Sequence, residues 1–292
     1  MPKRVNNKKK KKQKLDEKDY KPLEWFSTKV ELTHNKETNE FFLDVPNLTL
    51  DQLPTVSVVT ITRNRKKTFP LAVNNWINYI YPREKLDWLI IDDEDAEDLT
   101  ELIPNTPNVK YMRCDPKLFS NSDYIKGFDI AKKRNYSIEL ATGEYICIMD
   151  DDDYYPPDSI LAKIRILKHY TKPVCYSLPL GVYNTKTKKS HIVETHGGYT
   201  GAPEASLCFT KQFWEKGKFG VKIVNGKSSG EAHSFVENRQ KDFCNIPFWI
   251  NMVSITHDAN FTENLRDFFT NKEGPDFTRI WDQASKDILK DM

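Results

Sequence analysis

No run in this 292-residue chain approaches 18 consecutive apolar residues, which excludes a transmembrane helix. No apolar stretch follows the charged start Met1-Pro2-Lys3-Arg4, so no secretory signal and a cytoplasmic location are expected. No Cys-x-x-Cys pair occurs among the five cysteines, Cys114, Cys147, Cys175, Cys208 and Cys244. Their odd number, and the apolar, strand-like runs that hold most of them, argue against zinc and for buried free thiols in a reducing compartment. Apolar residues are scarce at 38% and charged residues slightly abundant at 29%, yet 12% aromatics excludes a chain disordered throughout. The net charge of +2 hides an asymmetry: residues 1–18 carry nine Lys or Arg against two acids, and the remainder is mildly acidic. The total therefore says nothing about nucleic acid.

Residues 1–20 read as a disordered basic tail, because the unbroken run Lys8 to Lys12 repels itself and nothing apolar compensates. A solvated tail is the plain reading; nuclear targeting, or contact with RNA or anionic lipid, are the others. Residues 21–54 hold a few aromatics (Trp25, Phe26, Phe41, Phe42) and are expected to pack on the main domain as an N-terminal extension. From Thr55 the texture changes. The β-branched run Thr55 to Thr62 predicts a buried strand. A helix follows, with Leu71, Val73, Trp76, Ile77 and Ile80 at helical spacing and a stop before Pro82. Strands are expected at Trp88–Ile91, Val109–Cys114 and Glu144–Met149, and helices at Ala96–Ile103, Ile125–Ala141 and Asp158–Tyr170.

Strands alternating with helices at this spacing mean βαβ units, a mostly parallel sheet and an α/β fold. After Pro173 short strand-like runs dominate (174–178, 181–183, 191–194, 205–210 and 248–256), an α+β continuation. Residues 55–170 are thus expected to bind a nucleotide-like ligand and residues 171–292 something else.

Ligands of open α/β sheets gather at the carboxyl ends of the parallel strands. Three such ends carry polar clusters here: Thr62-Arg63-Asn64, Asp92-Asp93, and Asp150 to Asp153. So much acid on one edge repels itself unless a cation sits there, and a hard divalent ion with oxygen ligands, Mg²⁺ or Mn²⁺, suits it. Three rival motifs fail. Tyr155 stands where a calcium loop beginning at Asp150 needs glycine. Five residues separate Gly220 from Gly226-Lys227-Ser228, where a phosphate loop has four. No glycine-rich turn follows the first strand.

Val56 to Arg65, Leu89-Ile90-Ile91-Asp92-Asp93, Lys133-Arg134-Asn135 and Ala141-Thr142-Gly143-Glu144-Tyr145-Ile146 running to Asp150-Asp151-Asp152-Asp153 occur in that order. Together they resemble the nucleotide-sugar domain of family 2 glycosyltransferases of GT-A fold, closely over residues 55–170 and loosely over 200–270. The resemblance implies a Rossmann-like sheet with helices on both faces. It implies that Ile61, Thr62 and Arg63 line the base of a nucleotide diphosphate sugar, with UDP-sugar favoured, and that Asp93 accepts a hydrogen bond from the base. Asp151 would lie near ribose or sugar, and Asp150 and Asp152 would hold the metal on the diphosphate. Arg134 could face the donor or simply the surface, and Asp93 could instead cap a helix. A late histidine, His257, would stand near the metal, or serve as a hydrogen-bonded structural residue.

The implied reaction is inverting transfer to an acceptor hydroxyl, with a carboxylate base in residues 171–292, the acceptor half of the same domain. Glu231, in Ser229-Gly230-Glu231-Ala232, matches the family's acidic motif, but that motif usually has Glu-Asp and here Ala232 follows. Glu231 is thus the expected base and Glu204 the reserve. Phe213, Trp214, Trp249 and Trp281 could stack on acceptor sugars or fill the core. The acceptor itself, glycan, protein or small molecule, is not legible. Two alternatives stand beside the transferase: a catalytically degenerate binding protein of the same fold, and a sugar nucleotidyltransferase, which needs the glycine loop that residues 62–66 lack.

Overall fold

A computed structural model of the chain describes residues 28–35, 40–120, 129–193, 202–220, 222–224, 227–229, 231–236, 238–257 and 271–292. The basic tail expected over residues 1–20 lies outside them, as does the first part of the helix expected from Ile125.

Val56-Ser57-Val58-Val59-Thr60-Ile61 forms strand β1, whose side chains alternate between two cores. Val56 and Val58 enter one apolar cluster and Val59 the other. The same alternation runs through β2 (Leu86–Asp93), where Trp88 and Ile90 oppose Leu89 and Ile91, and through β4 (Tyr145–Ile148). With β3 (Val109–Cys114) these strands are parallel in the order β3-β2-β1-β4. Beyond β4 the sheet continues through β8 (Cys208–Thr210), β5 (Val174–Tyr176), β9 (Phe243–Asn245) and the edge pair Thr28–Lys29. Only β8 runs antiparallel to its neighbours. A smaller sheet, β10-β6-β7-β11, is made of Val253–Thr256, Leu180–Asn184, Lys189–Val193 and Asn271–Glu273.

Helices cover both faces of the large sheet. Helices α1 (Phe69–Asn78) and α3 (Ser159–His169) bury Phe69, Trp76, Ile160 and Ile164 on one side. Helices α2 (Ile130–Leu140), α4 (Lys211–Glu215) and α5 (Glu231–Val236) bury Ile138, Trp214 and Phe235 on the other. The C-terminal α6 (Gln283–Asp291) is tied to α1 through Asn74, which bonds Ser285 Oγ at 2.9 Å. All five cysteines are buried and free, as expected. Among the described residues no helix is long and apolar enough to cross a membrane.

Some local expectations fail. The helix expected at Ala96–Ile103 shrinks to one 3₁₀ turn, Thr100–Leu102. Asp98 takes the amide and hydroxyl of Thr100 (2.9 and 2.6 Å), and Arg113 takes the carbonyls of Glu94 and Ala96 (2.8 and 2.7 Å), so local side-chain bonds replace the helical ladder. Helix α1 ends at Asn78, where Arg83 collects the carbonyls of Trp76, Ile77 and Tyr79; Ile77, within the helix, and Ile80, beyond it, are both exposed. The run 248–256 splits into a 3₁₀ turn, Phe248–Ile250, and β10.

Candidate functional site

Chain order changes direction beside β1: β2 lies on one flank and β4 on the other. In open α/β sheets such a reversal leaves a crevice at the strand carboxyl ends. The register pairs Ile61 with Ile91 and Val59 with Ile148, which brings Thr62-Arg63, Asp92-Asp93 and Asp150 to Asp153 to one edge.

At the β2 end Asp93 is fully buried. Its Oδ1 accepts from Lys133 Nζ at 2.8 Å and its Oδ2 from Arg63 Nη1 at 2.7 Å. Lys133, itself 1% exposed, also donates to the Thr62 carbonyl at 2.7 Å, pinning the β1 end to α2. Burial lowers the Lys133 pKa, with Asp93 pulling it back up. The Asp93 carboxylate therefore makes an ion-paired knot rather than a helix cap. Its neighbour Asp92 is structural, taking the Asp93 amide (2.8 Å) and the Tyr111 hydroxyl (2.7 Å), with burial raising its pKa.

The acid loop after β4 is fixed by its backbone. Tyr155 Oη accepts from the Asp150 amide (2.9 Å) and donates to the Ala205 carbonyl (3.0 Å). Asp153 serves the loop: its Oδ1 accepts from the Ile255 amide at 2.7 Å. The other three acids are crowded. Burial, chiefly, pushes Asp150 up to about 6; the charges of Asp152 and Glu204 push the same way and Arg134 and Arg65 oppose. Asp151 is raised well above the usual carboxylate range by burial and by Asp152, with Arg65 opposing. Asp152 Oδ2 lies 3.0 Å from His257 Nε2 and 3.7 Å from Arg65 Nη1.

Arg134 is buried on α2, over the Phe219 ring and within electrostatic reach of Asp150, so it does not face the surface. Glu204 opens a 3₁₀ turn, and its Oε1 accepts from the Ala232 amide at 3.3 Å, close to the start of α5. Glu231 is the first residue of α5; its side chain lies outside the described residues. Phe213, Trp214 and Trp281 are buried in the core, and Trp249 packs on Phe248 and Phe277. Two cations of the site, Lys133 and Arg65, were not singled out by sequence. Lys133 belongs to Lys132-Lys133-Arg134, which reads as a solvated helix face, yet it is buried with Ala131, Arg134, Ser137 and Ile138.

The donor set at this edge is hard oxygen, half-buried at Asp150 and buried at Asp151 and Asp152, and mutually repelling, which fits a divalent cation. Among the described residues no three His, Cys, Asp or Glu side chains form a complete cage. An ion held by one or two carboxylates and by phosphate oxygens needs none.

The profile described as Glycosyl transferase family 2 matches residues 57–227, more than half of the chain. A probable glycosyltransferase of Sulfolobus acidocaldarius is 25% identical over 137 residues, 45% of this chain and 26% of its own length. The Escherichia coli UDP-Glc:alpha-D-GlcNAc-diphosphoundecaprenol beta-1,3-glucosyltransferase WfaP is 25% identical over 122 residues, 42% of this chain and 44% of its own. The chain thus spans less than half the length of either curated relative. Among solved structures, the mannosyltransferase PcManGT from Pyrobaculum calidifontis, in complex with GDP-Man and Mn²⁺, superposes with a TM-score of 0.50. It is 17% identical, with 84% of this chain and 72% of that chain covered, a likeness of GT-A fold.

Proposed function

The chain belongs to glycosyl transferase family 2, and from that premise we propose that it moves a sugar from a nucleoside diphosphate donor to an acceptor hydroxyl with inversion. The observation that carries this reading is the crowding of Asp150, Asp151 and Asp152 beside the β1 and β2 ends. A relative named for a UDP-Glc donor and a like fold holding GDP-Man and Mn²⁺ support it. UDP-sugar is the first donor to test.

Asp150 and Asp152 would hold Mn²⁺ or Mg²⁺, with His257 a third donor or, through its bond to Asp152, the group that aims that carboxylate. When bound, the ion supplies positive charge to the departing diphosphate. Arg65 and Arg134 flank the same acids and favour an anionic ligand there. Ile61, Thr62 and Arg63 border the nucleotide and Asp151 the ribose or sugar. Glu231 takes the proton of the acceptor hydroxyl, so that attack comes from the face opposite the leaving group. Glu204 anchors the Ala232 amide and so holds the start of α5 in place. Residues 55–170 form the donor half and 171–292 the acceptor half of one domain.

A panel of UDP-, GDP- and TDP-sugars, each assayed for donor hydrolysis and transfer with Mn²⁺, tests the reading. Glu231→Gln should lower turnover by about 10²-fold or more, the scale of general-base catalysis, with nucleotide affinity near wild type. Normal turnover in that variant moves the base to Glu204. A donor-binding protein without catalysis is the second reading, favoured by Ala232, which is buried where the family's motif usually has an acid. Tight nucleotide binding with no turnover of any donor would select it.

A further inference from the structure

Four of the five cysteines stand in one row across the large sheet. Cys147 of β4 lies opposite Cys208 of β8, Cys208 opposite Cys175 of β5, and Cys175 opposite Cys244 of β9. All four belong to the core cluster on the α1 and α3 side, so the thiols share one face. The backbone ladder ranks their contacts. The Ile148 amide donates to the Leu207 carbonyl at 3.0 Å and the Lys211 amide to the Glu144 carbonyl at 2.8 Å. Hydrogen-bonded and non-hydrogen-bonded pairs alternate along an antiparallel ladder, so Cys147–Cys208 is a non-hydrogen-bonded pair, with Cα atoms about 4.5 Å apart. On the other flank of β8 the Thr210 amide donates to the Pro173 carbonyl, which makes Cys208–Cys175 a hydrogen-bonded pair, about 1 Å wider. A disulfide needs Cβ atoms within about 4.5 Å, and the narrower pair comes closest to that.

Buried thiols are ordinarily inert. What sets this pair apart is Lys163, a lysine of α3 that is 1% exposed and whose Nζ lies 5.4 Å from the Tyr155 ring centroid. The hydrogen bond with Cys208, chiefly, and the Lys163 charge hold the Cys147 thiol below its usual range against the effect of burial. Burial, together with the thiols of Cys147 and Cys175, pushes Cys208 well above its own. One sulfur is therefore the nucleophile and its neighbour carries the proton. We propose that Cys147 and Cys208 are a thiol pair oxidised by hydroperoxides, with Cys147 attacking and Cys208 resolving. The Cys147 thiolate attacks one peroxide oxygen; the O–O bond breaks, a sulfenic acid forms, and the departing oxygen takes up a proton. The Cys208 sulfur then attacks the Cys147 sulfur: the S–S bond forms, the S–O bond breaks, and the hydroxyl leaves with the Cys208 proton as water. Each sulfur loses one electron and the two peroxide oxygens gain them. The bridge ties β4, which runs on to Asp150, to β8, which follows the Glu204 turn.

Hydrogen peroxide, small and uncharged, is the probe. The full chain is treated with it, denatured, alkylated with iodoacetamide and digested with trypsin, which puts the four cysteines of the row on separate peptides. The wild type should take two fewer labels than the untreated chain, whose five thiols are free, and its map should show Cys147 joined to Cys208. In Cys208→Ser no thiol lies opposite Cys147, so oxidation should stop at a sulfenic acid that dimedone traps on Cys147. Cys147→Ser should give no adduct on Cys208. The wild-type experiment depends on no variant folding. Five labels after peroxide, a bridge joining any other pair, or a dimedone adduct on Cys208 in place of Cys147 would overturn the proposal.

Discussion

Replacing Lys133 with methionine tests the buried knot that positions the strand ends. Methionine keeps most of the apolar stem and removes the ammonium, so two bonds vanish: 2.7 Å to the Thr62 carbonyl and 2.8 Å to Asp93 Oδ1. The carbonyl loses a buried donor, a penalty of about 1–3 kcal/mol. Asp93 stays buried with half of its cationic neighbourhood gone. Removing one partner of a buried pair costs about 3–5 kcal/mol, and retention of Arg63 reduces that. Against this, the lysine no longer has to be desolvated, the effect that lowers its pKa. The balance is a destabilisation of about 2–4 kcal/mol, measured by urea unfolding followed through tryptophan fluorescence, since Trp88 and Trp76 stack beneath the sheet. Adding Asp93→Asn should recover part of the loss, with a coupling of about 1–3 kcal/mol in the double-mutant cycle. A loss under about 1 kcal/mol for Lys133→Met, or strict additivity with Asp93→Asn, would refute the ion pair as described.

Gly143→Ala should destabilise the fold by about 1–3 kcal/mol, read from the urea midpoint. The new Cβ would lie 2.8 Å from the Val56 carbonyl carbon and inside contact distance of the Ser57 amide, both backbone atoms of β1 that cannot yield. Asp282→Ala should cost about 1 kcal/mol at neutral pH, because Asp282 caps α6 through the Ser285 amide at 2.8 Å. Partial burial pushes the Asp282 pKa up, but the bonds from Ser285 and Asn74 together bring it below the ordinary 3.8. A depressed folded-state pKa stabilises above the unfolded value and is lost as pH falls through the folded one. The gap between wild type and variant should therefore close in acid; a gap that widens below pH 4 would contradict the sign.

The parallel sheet was legible because a buried strand needs an uninterrupted β-branched or apolar run, and Val58–Ile61 and Trp88–Ile91 are such runs. The acid edge was legible for a related reason: charges abutting those runs have no place inside the sheet and must fall at its ends. What escaped depends on contacts distant in sequence. Nothing in residues 96–103 announces that Arg113, from β3, takes the carbonyls a helix would use. Lys133 reads as solvent-facing until β1 and β2 are folded against α2. The buried position of Arg134 needs Phe219, 85 residues away, to be seen. Phe213, Trp214 and Trp281 could serve a sugar site or, more often for such residues, a core, and the fold assigns them to the core.

The central claim is that Asp150 and Asp152 hold a divalent ion on the diphosphate of a nucleotide donor. Titration of UDP into the wild-type chain and into Asp152→Ala, with Mn²⁺ and again in EDTA, tests it most directly. Binding should be seen only in the wild type with Mn²⁺, because geometry around a small divalent ion is strict and a neighbouring acid cannot replace Asp152. UDP bound equally well in EDTA, or by Asp152→Ala with Mn²⁺, would contradict it.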